Sequence, residues 1–532
     1  MKQVSFLRRM WTCLPGMLLI ALTSTQVSAQ VARRTLTNLL STVEIGKEGA
    51  CDKAGYPNIL PDLVKLYLRK RSLLSSQLIG AASIAKVTRA QQATYQPYKG
   101  LSFLPNGATL PPFLPPTDSS KIYRITYLSG GQRLSGLVVV PDHSMANGMV
   151  VYDHGTQIAK DKGAPSHPSN EACMIITGLA GKGRMLAMPD YIGYGVNNGP
   201  HPYPLGVNNA PAGIDIIVAA HELAKEVNKI YPVGTALAVT GYSEGGGNSF
   251  WLARMIAEQK PDLMGSKLTM IAPMSGPYDM TGAMAHSLIV RQPVIIPWDL
   301  NQLITFLVRP MLVAYAAQGA ADYSLSTTTS GLPSMLRSPV LEFVQGTPLP
   351  ITTDTVNYGV GLMEKAVSAG YTLLNPNPST LMQPGFVNAL QTTDNRFPAI
   401  ALWSVNDNIS WVPKNADRVD VPTYITGILQ DQIVPFAGAN YPVPRGYTGG
   451  AAIFQQGNSQ NLIASLREKS VGPSKVAWCG IDARQVPSTI MGKQVMLRIN
   501  HLTGLPPVLT LAAKAIETGS IETLPTIPDP KP

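Results

Sequence analysis

The stretch AVTGYSEGGGNSFWLARMI, from Ala238 to Ile256, sets Ser243 between Gly241 and Gly245, and it constrains the fold more than any other part of the chain. In a sequence with 47 glycines the pentapeptide G-x-S-x-G arises readily by chance, so its surroundings carry the argument. Before it, ALAVT is a short uncharged apolar run behind the turn-forming Pro232 and Gly234, which reads as a buried parallel strand. After it, NSFWLARMIAEQK places Phe250, Trp251 and Ile256 at helical spacing. A strand running into a serine and a helix running out of it make a nucleophile elbow, in which the serine is forced into sparsely populated backbone angles.

The rest of the chain extends that pattern. KIYRITYLSGGQRLSGLVVVP reads as a hairpin around Gly130 and Gly131. GMVVYDHGT, GRMLAMPDYIGYG, the helix AGIDIIVAAHELAKEVNK, ALAVTGYS and KLTMIAPMSGPYD then alternate as a β/α series, the signature of a parallel sheet with crossover helices. After Met280 the rhythm stops for about a hundred residues of apolar helix-like segments and prolines, the place for a cap or lid. Within it, Arg309 and Pro310 break LITFLVRPMLVAYAA into one or two packed helices rather than a membrane span. The rhythm resumes with VPTYITGIL as a strand and KQVMLRI as the last one, while ALWSVND also reads as a strand ending in an acid. The N-terminal part is expected to hold an amphipathic helix, LPDLVKLYLRKRSLLSSQLI, and a Pro-rich tether.

The expected organisation is a signal peptide over 1–29, a helical and Pro-rich extension over 30–120, a first core segment over 121–280, a cap over 281–396, a second core segment over 397–515 and a tail over 516–532. The leader is read from Lys2, Arg8 and Arg9 ahead of GMLLIAL, with small residues ending at Ala29. An exported chain, secreted or periplasmic, without stable membrane insertion is the expectation. The net charge of +10 includes no basic run longer than LRKRS, a solvated helix face rather than a nucleic-acid site. Outside the leader, Cys51, Cys173 and Cys479 have no zinc-site spacing and allow at most one internal disulfide.

A serine hydroxyl is a poor nucleophile until a base takes its proton, and the resulting imidazolium needs a carboxylate. In this kind of fold the chain order is Ser, acid, His. Of the seven histidines only His286 and His501 follow Ser243, and His286 comes too early, at the start of the cap. His501, just after KQVMLRI, is the expected base. Asp407 and Asp431 compete for the acid, and Asp431, directly after the charge-free strand VPTYITGIL, is the expected one. The oxyanion would be held by the N–H groups of Glu244 and of Thr156 in YDHGT, with His154 fixing that loop.

The ordered motifs DHGT, PDYIGYG, GYSEGG, SGPYDM, ND...W.P and D.IVP and a late histidine, spanning Lys121 to Leu505, resemble the secretory lipase family and its bacterial α/β-hydrolase relatives. The resemblance implies an α/β-hydrolase fold, a mostly parallel sheet with flanking helices and a large, mainly helical cap over an acyl pocket. It implies hydrolysis of small or lipidic carboxylic esters through an acyl-enzyme, with no cofactor and no metal. It also places ND...W.P ahead of the acid-bearing strand, which favours Asp431 over Asp407. The alternative reading is a secreted serine peptidase on the same fold.

Overall fold

The computed structural model describes residues 72–527, except 144–146, 162–163, 168, 229–235, 260, 292–299, 325–330, 353–354, 410–420, 443–444, 446, 448–453, 470–474 and 491–492. The expected leader and Cys51 therefore lie outside the described residues.

Nine strands form one sheet: β1 (Leu73–Ala82), β2 (Ser120–Ser129), β3 (Gln132–Pro141), β4 (Met149–Asp153), β5 (Met185–Pro189), β6 (Ala236–Tyr242), β7 (Lys267–Met274), β8 (Thr423–Ile428) and β9 (Val476–Ile481). Their spatial order is β1-β2-β3-β5-β4-β6-β7-β8-β9. The first three strands and the β3–β5 pair are antiparallel, and every pair from β5 to β9 is parallel. The central strands MVVYD and MLAMP are buried at every position, as strands covered on both faces must be. Helices α1 (Ile84–Tyr95), α2 (Asn170–Leu179), α3 (Gly206–Asn228) and α4 (Glu244–Gln259) belong to this core. So, after the cap helices α5–α11 described below, do α12 (Asn458–Lys469) and α13 (Leu505–Thr518). Helices α3 and α4 pack on each other and on the sheet, while α13 packs on β7, β8 and α2.

Between β7 and β8 the chain leaves the sheet for a helical unit: α5 (Ala285–Ile289), α6 (Leu300–Tyr323), α7 (Leu332–Met335), α8 (Val340–Gly346), α9 (Thr355–Ser368), α10 (Pro384–Thr392) and α11 (Pro398–Val405). It has its own hydrophobic cluster, centred on Phe306, Tyr315, Tyr371 and Trp403, each at most 1% exposed. Burying an aromatic or aliphatic side chain of this size stabilises the fold by roughly 2 kcal/mol.

Several elements depart from the sequence expectation. The segment LLSSQLIGAA, expected at the end of an amphipathic helix, is the edge strand β1. Ser75, Ser76 and Gly80 are weak helix formers, and pairing with β2 includes a 2.6 Å contact between the Ser75 and Thr126 hydroxyls, so tertiary pairing overrides the helical apolar pattern. ALWSVND is not a strand: PAIALWSV forms α11, with Pro398 preset for the first helical turn, and the helical unit runs on past residue 396. KQVMLRI does not join the main sheet. Among the described residues its strand β11 (Lys493–Arg498) pairs only with β10 (Gln485–Ile490), and the last parallel strand is the unforeseen VAWCGI of β9. Finally, Arg309 and Pro310 do not break α6, which runs unbroken over 24 residues. Pro310 lacks the N–H that would bond the Phe306 carbonyl, and the Tyr371 hydroxyl donates to that carbonyl at 3.1 Å instead. Arg309 is buried and donates to the Ser287 carbonyl. By length and apolarity Gln302–Tyr323 could cross a membrane, but 89% of its apolar window is buried inside the protein.

Candidate active site

Ser243 sits at the tip of the turn between β6 and α4 with φ +57°, a left-handed conformation rare for a residue with a side chain. The glycines on either side are required by contact rather than by φ. A Cβ on Gly241 would lie 2.1 Å from the Gly245 carbonyl oxygen, and one on Gly245 would lie 1.9 Å from the Asp153 oxygen. The Ser243 N–H donates to the Met274 carbonyl at 3.0 Å and its own carbonyl accepts from Gly246 at 2.8 Å, so the strained turn is held from both sides.

Three of the expected residues come together. The Nε2 of His501 is 2.7 Å from Ser243 Oγ, and its Nδ1 is 2.7 Å from Asp431 Oδ2. Asp431 follows β8 and His501 precedes α13, so the carboxyl-terminal ends of two sheet strands and one loop supply the set. The other carboxylate oxygen of Asp431 accepts from the Ile433 and Val434 amides at 2.8 and 2.9 Å, which fixes the carboxylate plane. The His501 loop is fixed in turn. Asn500 Oδ1 accepts from the Leu502 and Thr503 amides, and the Tyr242 hydroxyl donates to the His501 carbonyl while its ring lies against the imidazole. Asp431 and His501 are 1% and 3% exposed, so bulk water does not compete for their hydrogen bond.

Asp407 is elsewhere. It accepts from the Met280 and Thr281 amides and the Thr281 hydroxyl, tying the start of the helical unit to its end, and burial pushes its carboxyl up to about 7. His286 lies in α5 with Nδ1 2.8 Å from the Gly282 carbonyl.

The loop after β4 passes beside the elbow: a Cβ on Gly155 would be 3.4 Å from the Ser243 Cβ. Neither the Thr156 nor the Glu244 amide donates a hydrogen bond among the described residues, and both residues line the space in front of Ser243. His154 faces the Gly155 and Asp190 carbonyls at 2.7 and 3.2 Å, restraining this loop. Sequence reasoning missed its main tie, Glu171 at the start of α2. One oxygen accepts from the Gly155 amide and the Tyr152 hydroxyl, both at 2.7 Å, and the other from Gln157 at 2.8 Å. It also missed His201, buried 2.6 Å from the Glu244 carboxyl. Neither residue lies in a motif of its own, and only three-dimensional proximity reveals them.

A cavity of about 450 Å³ opens from Ser243 and His501 into the helical unit. Its far wall is apolar, with Met284, Leu307, Met311, Leu312, Leu362 and Met363 from α6, α9 and the start of the unit. Phe306 does not line it but stacks on Tyr371 at 4.6 Å. The near wall carries Tyr98, Glu171 and Met174.

No family model matches the chain, and no curated protein matches it in sequence. Its backbone superposes on a crystal structure of a protein from Legionella pneumophila, provisionally assigned as a hydrolase, with a TM-score of 0.57 at 21% identity, covering 85% of this chain and 99% of that one. It superposes on the rice cell wall degrading esterase LipA from Xanthomonas oryzae with a TM-score of 0.53 at 18% identity, covering 77% and 91%. The chain has the α/β-hydrolase fold. On this α/β-hydrolase scaffold the elbow serine, the residues at the ends of β6 and β8, and the helical insertion after β7 occupy one connected region.

Proposed function

We propose that this α/β-hydrolase is an exported enzyme that cleaves carboxylic esters through an acyl-enzyme on Ser243. The observation that carries the reading is the continuous hydrogen-bonded series Ser243 Oγ, His501, Asp431 at the mouth of an apolar cavity. His501 takes the proton of Ser243 as Oγ adds to the acyl carbonyl, and Asp431 stabilises the imidazolium. The oxyanion is received by the N–H groups of Thr156 and Glu244, preorganised in place of water. Collapse expels the alcohol, which leaves with the proton from His501. Water then attacks the acyl-enzyme by the same route in reverse, regenerating Ser243.

The apolar wall supports an acyl chain rather than a peptide. The cavity's two carboxylates, Glu171 and Glu244, are already bonded within the protein, so neither is free to anchor a substrate ammonium. Export rests on the first 29 residues of the sequence alone.

The test is a comparison of p-nitrophenyl esters of two to twelve acyl carbons with aminoacyl p-nitroanilides. Ester turnover with negligible anilide turnover supports the reading, and preference for the anilides makes the chain a peptidase.

A further inference from the structure

Beneath the elbow lies a second histidine–carboxylate pair. His201 Nε2 is 2.6 Å from Glu244 Oε1, and both side chains are completely buried. The other imidazole nitrogen, Nδ1, is 2.9 Å from the Ile192 carbonyl. A carbonyl oxygen only accepts, so Nδ1 must carry a hydrogen. The Nε2–Oε1 contact then needs a second proton, since two lone pairs cannot face each other at that distance in a dry interior. That proton sits either on the imidazole or on the carboxyl, and in both cases the pair is neutral overall.

The second carboxyl oxygen, Glu244 Oε2, is buried with no hydrogen-bond partner among the described residues, so a full negative charge there would lack a direct donor. The ionisable groups facing the pair are Asp153 and four tyrosines. Asp153 is at the end of β4, where burial pushes its carboxyl well above the usual range. Tyr191, Tyr194 and Tyr203 come from the loop after β5 and Tyr315 from α6, and burial raises all four phenols.

Glu244 follows the nucleophile directly, and its N–H is one of the two oxyanion donors of the proposed reaction. An ionised, unpaired carboxylate on that residue would oppose the negative charge that develops on the substrate oxygen. We propose that His201 is a positioning residue for ester hydrolysis. By sharing one proton with Glu244 it holds the first turn of α4 and leaves the pair beside the donor N–H without net charge. The proposal rests on the ester-hydrolase reading.

Two measurements test it. The first is the pH dependence of kcat and KM from pH 6 to 10 for the native chain, His201→Phe, and His201→Phe with Glu244→Gln. His201→Phe strands the carboxyl, so its kcat should fall as pH rises, by about a hundredfold at the alkaline end, with KM changed little. The double variant should lose that alkaline fall whatever its absolute rate. A merely structural histidine would lower kcat equally at every pH, and that result, or persistence of the alkaline fall in the double variant, overturns the proposal.

The second needs no folded His201 variant. It is the side-chain ¹⁵N spectrum of the histidine-labelled native chain between pH 6 and 9, with the His201 signals assigned by their displacement in Glu244→Gln. Invariant signals with a protonated Nδ1 support the shared proton, whereas titration of this imidazole in that window overturns it. If the native chain hydrolyses no ester, the functional reading fails while the spectrum still reports on the pair.

Discussion

The Asp431 carboxylate and the His501 imidazole, 70 positions apart in sequence, meet at 2.7 Å, whereas Asp407, the competing acid, bonds the first turn of the helical unit. The two carboxylates should therefore fail differently. Asp431→Asn fixes the wrong His501 tautomer and should lower kcat by about 10⁴ with the fold intact. Asp407→Asn should keep kcat within about tenfold. Ester kinetics on proteins shown to be folded by circular dichroism check the ranking, and the reverse order would move the acid to Asp407.

Asp407 also makes stability depend on pH. Burial raises its carboxyl to about 7 from an ordinary value of 3.8. At pH values between those two, the folded chain holds a proton that the unfolded chain has released, so this group's contribution to stability falls as pH rises through the window and is level above it. The amide introduced by Asp407→Asn cannot titrate. The unfolding midpoint of Asp407→Asn relative to the native chain should therefore rise between pH 4 and pH 8, and parallel midpoints would contradict the assignment.

The cavity wall and the core of the helical unit should respond to different assays. Met311→Trp fills the cavity and should shift preference toward short acyl chains, with acetyl ester turnover less affected than that of longer esters. Phe306→Leu, away from the cavity, should lower stability by about 1–2 kcal/mol and leave the chain-length profile unchanged. An unchanged profile in Met311→Trp would mean that this wall does not hold the acyl chain.

The Tyr371 hydroxyl explains how α6 tolerates Pro310. Tyr371→Phe leaves the Phe306 carbonyl without its donor in a buried setting and should cost about 1–3 kcal/mol in urea unfolding. No measurable change would show that the carbonyl is satisfied in another way.

Much of this was legible in the sequence because the signals are local. The elbow is one strand, one turn and one helix in succession, and its glycines announce close backbone approach. Asp431 and His501 each follow a strand in the chain order the chemistry requires. What escaped was decided by distant partners. β1 is a strand because β2 is there to pair with it, and VAWCGI is too short to be told from a loop until β8 lies alongside. ALWSVND has the apolar run of a strand, yet Pro398 and the neighbouring helices make it α11. Pro310 signals a break locally, and only the Tyr371 hydroxyl, 65 residues away from Phe306, removes the need for one. Glu171 and His201 are ordinary polar residues in sequence, and they become interpretable only when Gly155 and Glu244 are seen beside them.

The central claim is that Ser243 is the nucleophile, and the most direct measurement is peptide mapping of the chain after reaction with a fluorophosphonate, paired with ester kinetics of Ser243→Ala. The account predicts one phosphonyl group per chain on Ser243 and a loss on the order of a millionfold in kcat for the folded variant. Labelling at another serine, or near-native turnover by Ser243→Ala free of contaminating esterases, would contradict it.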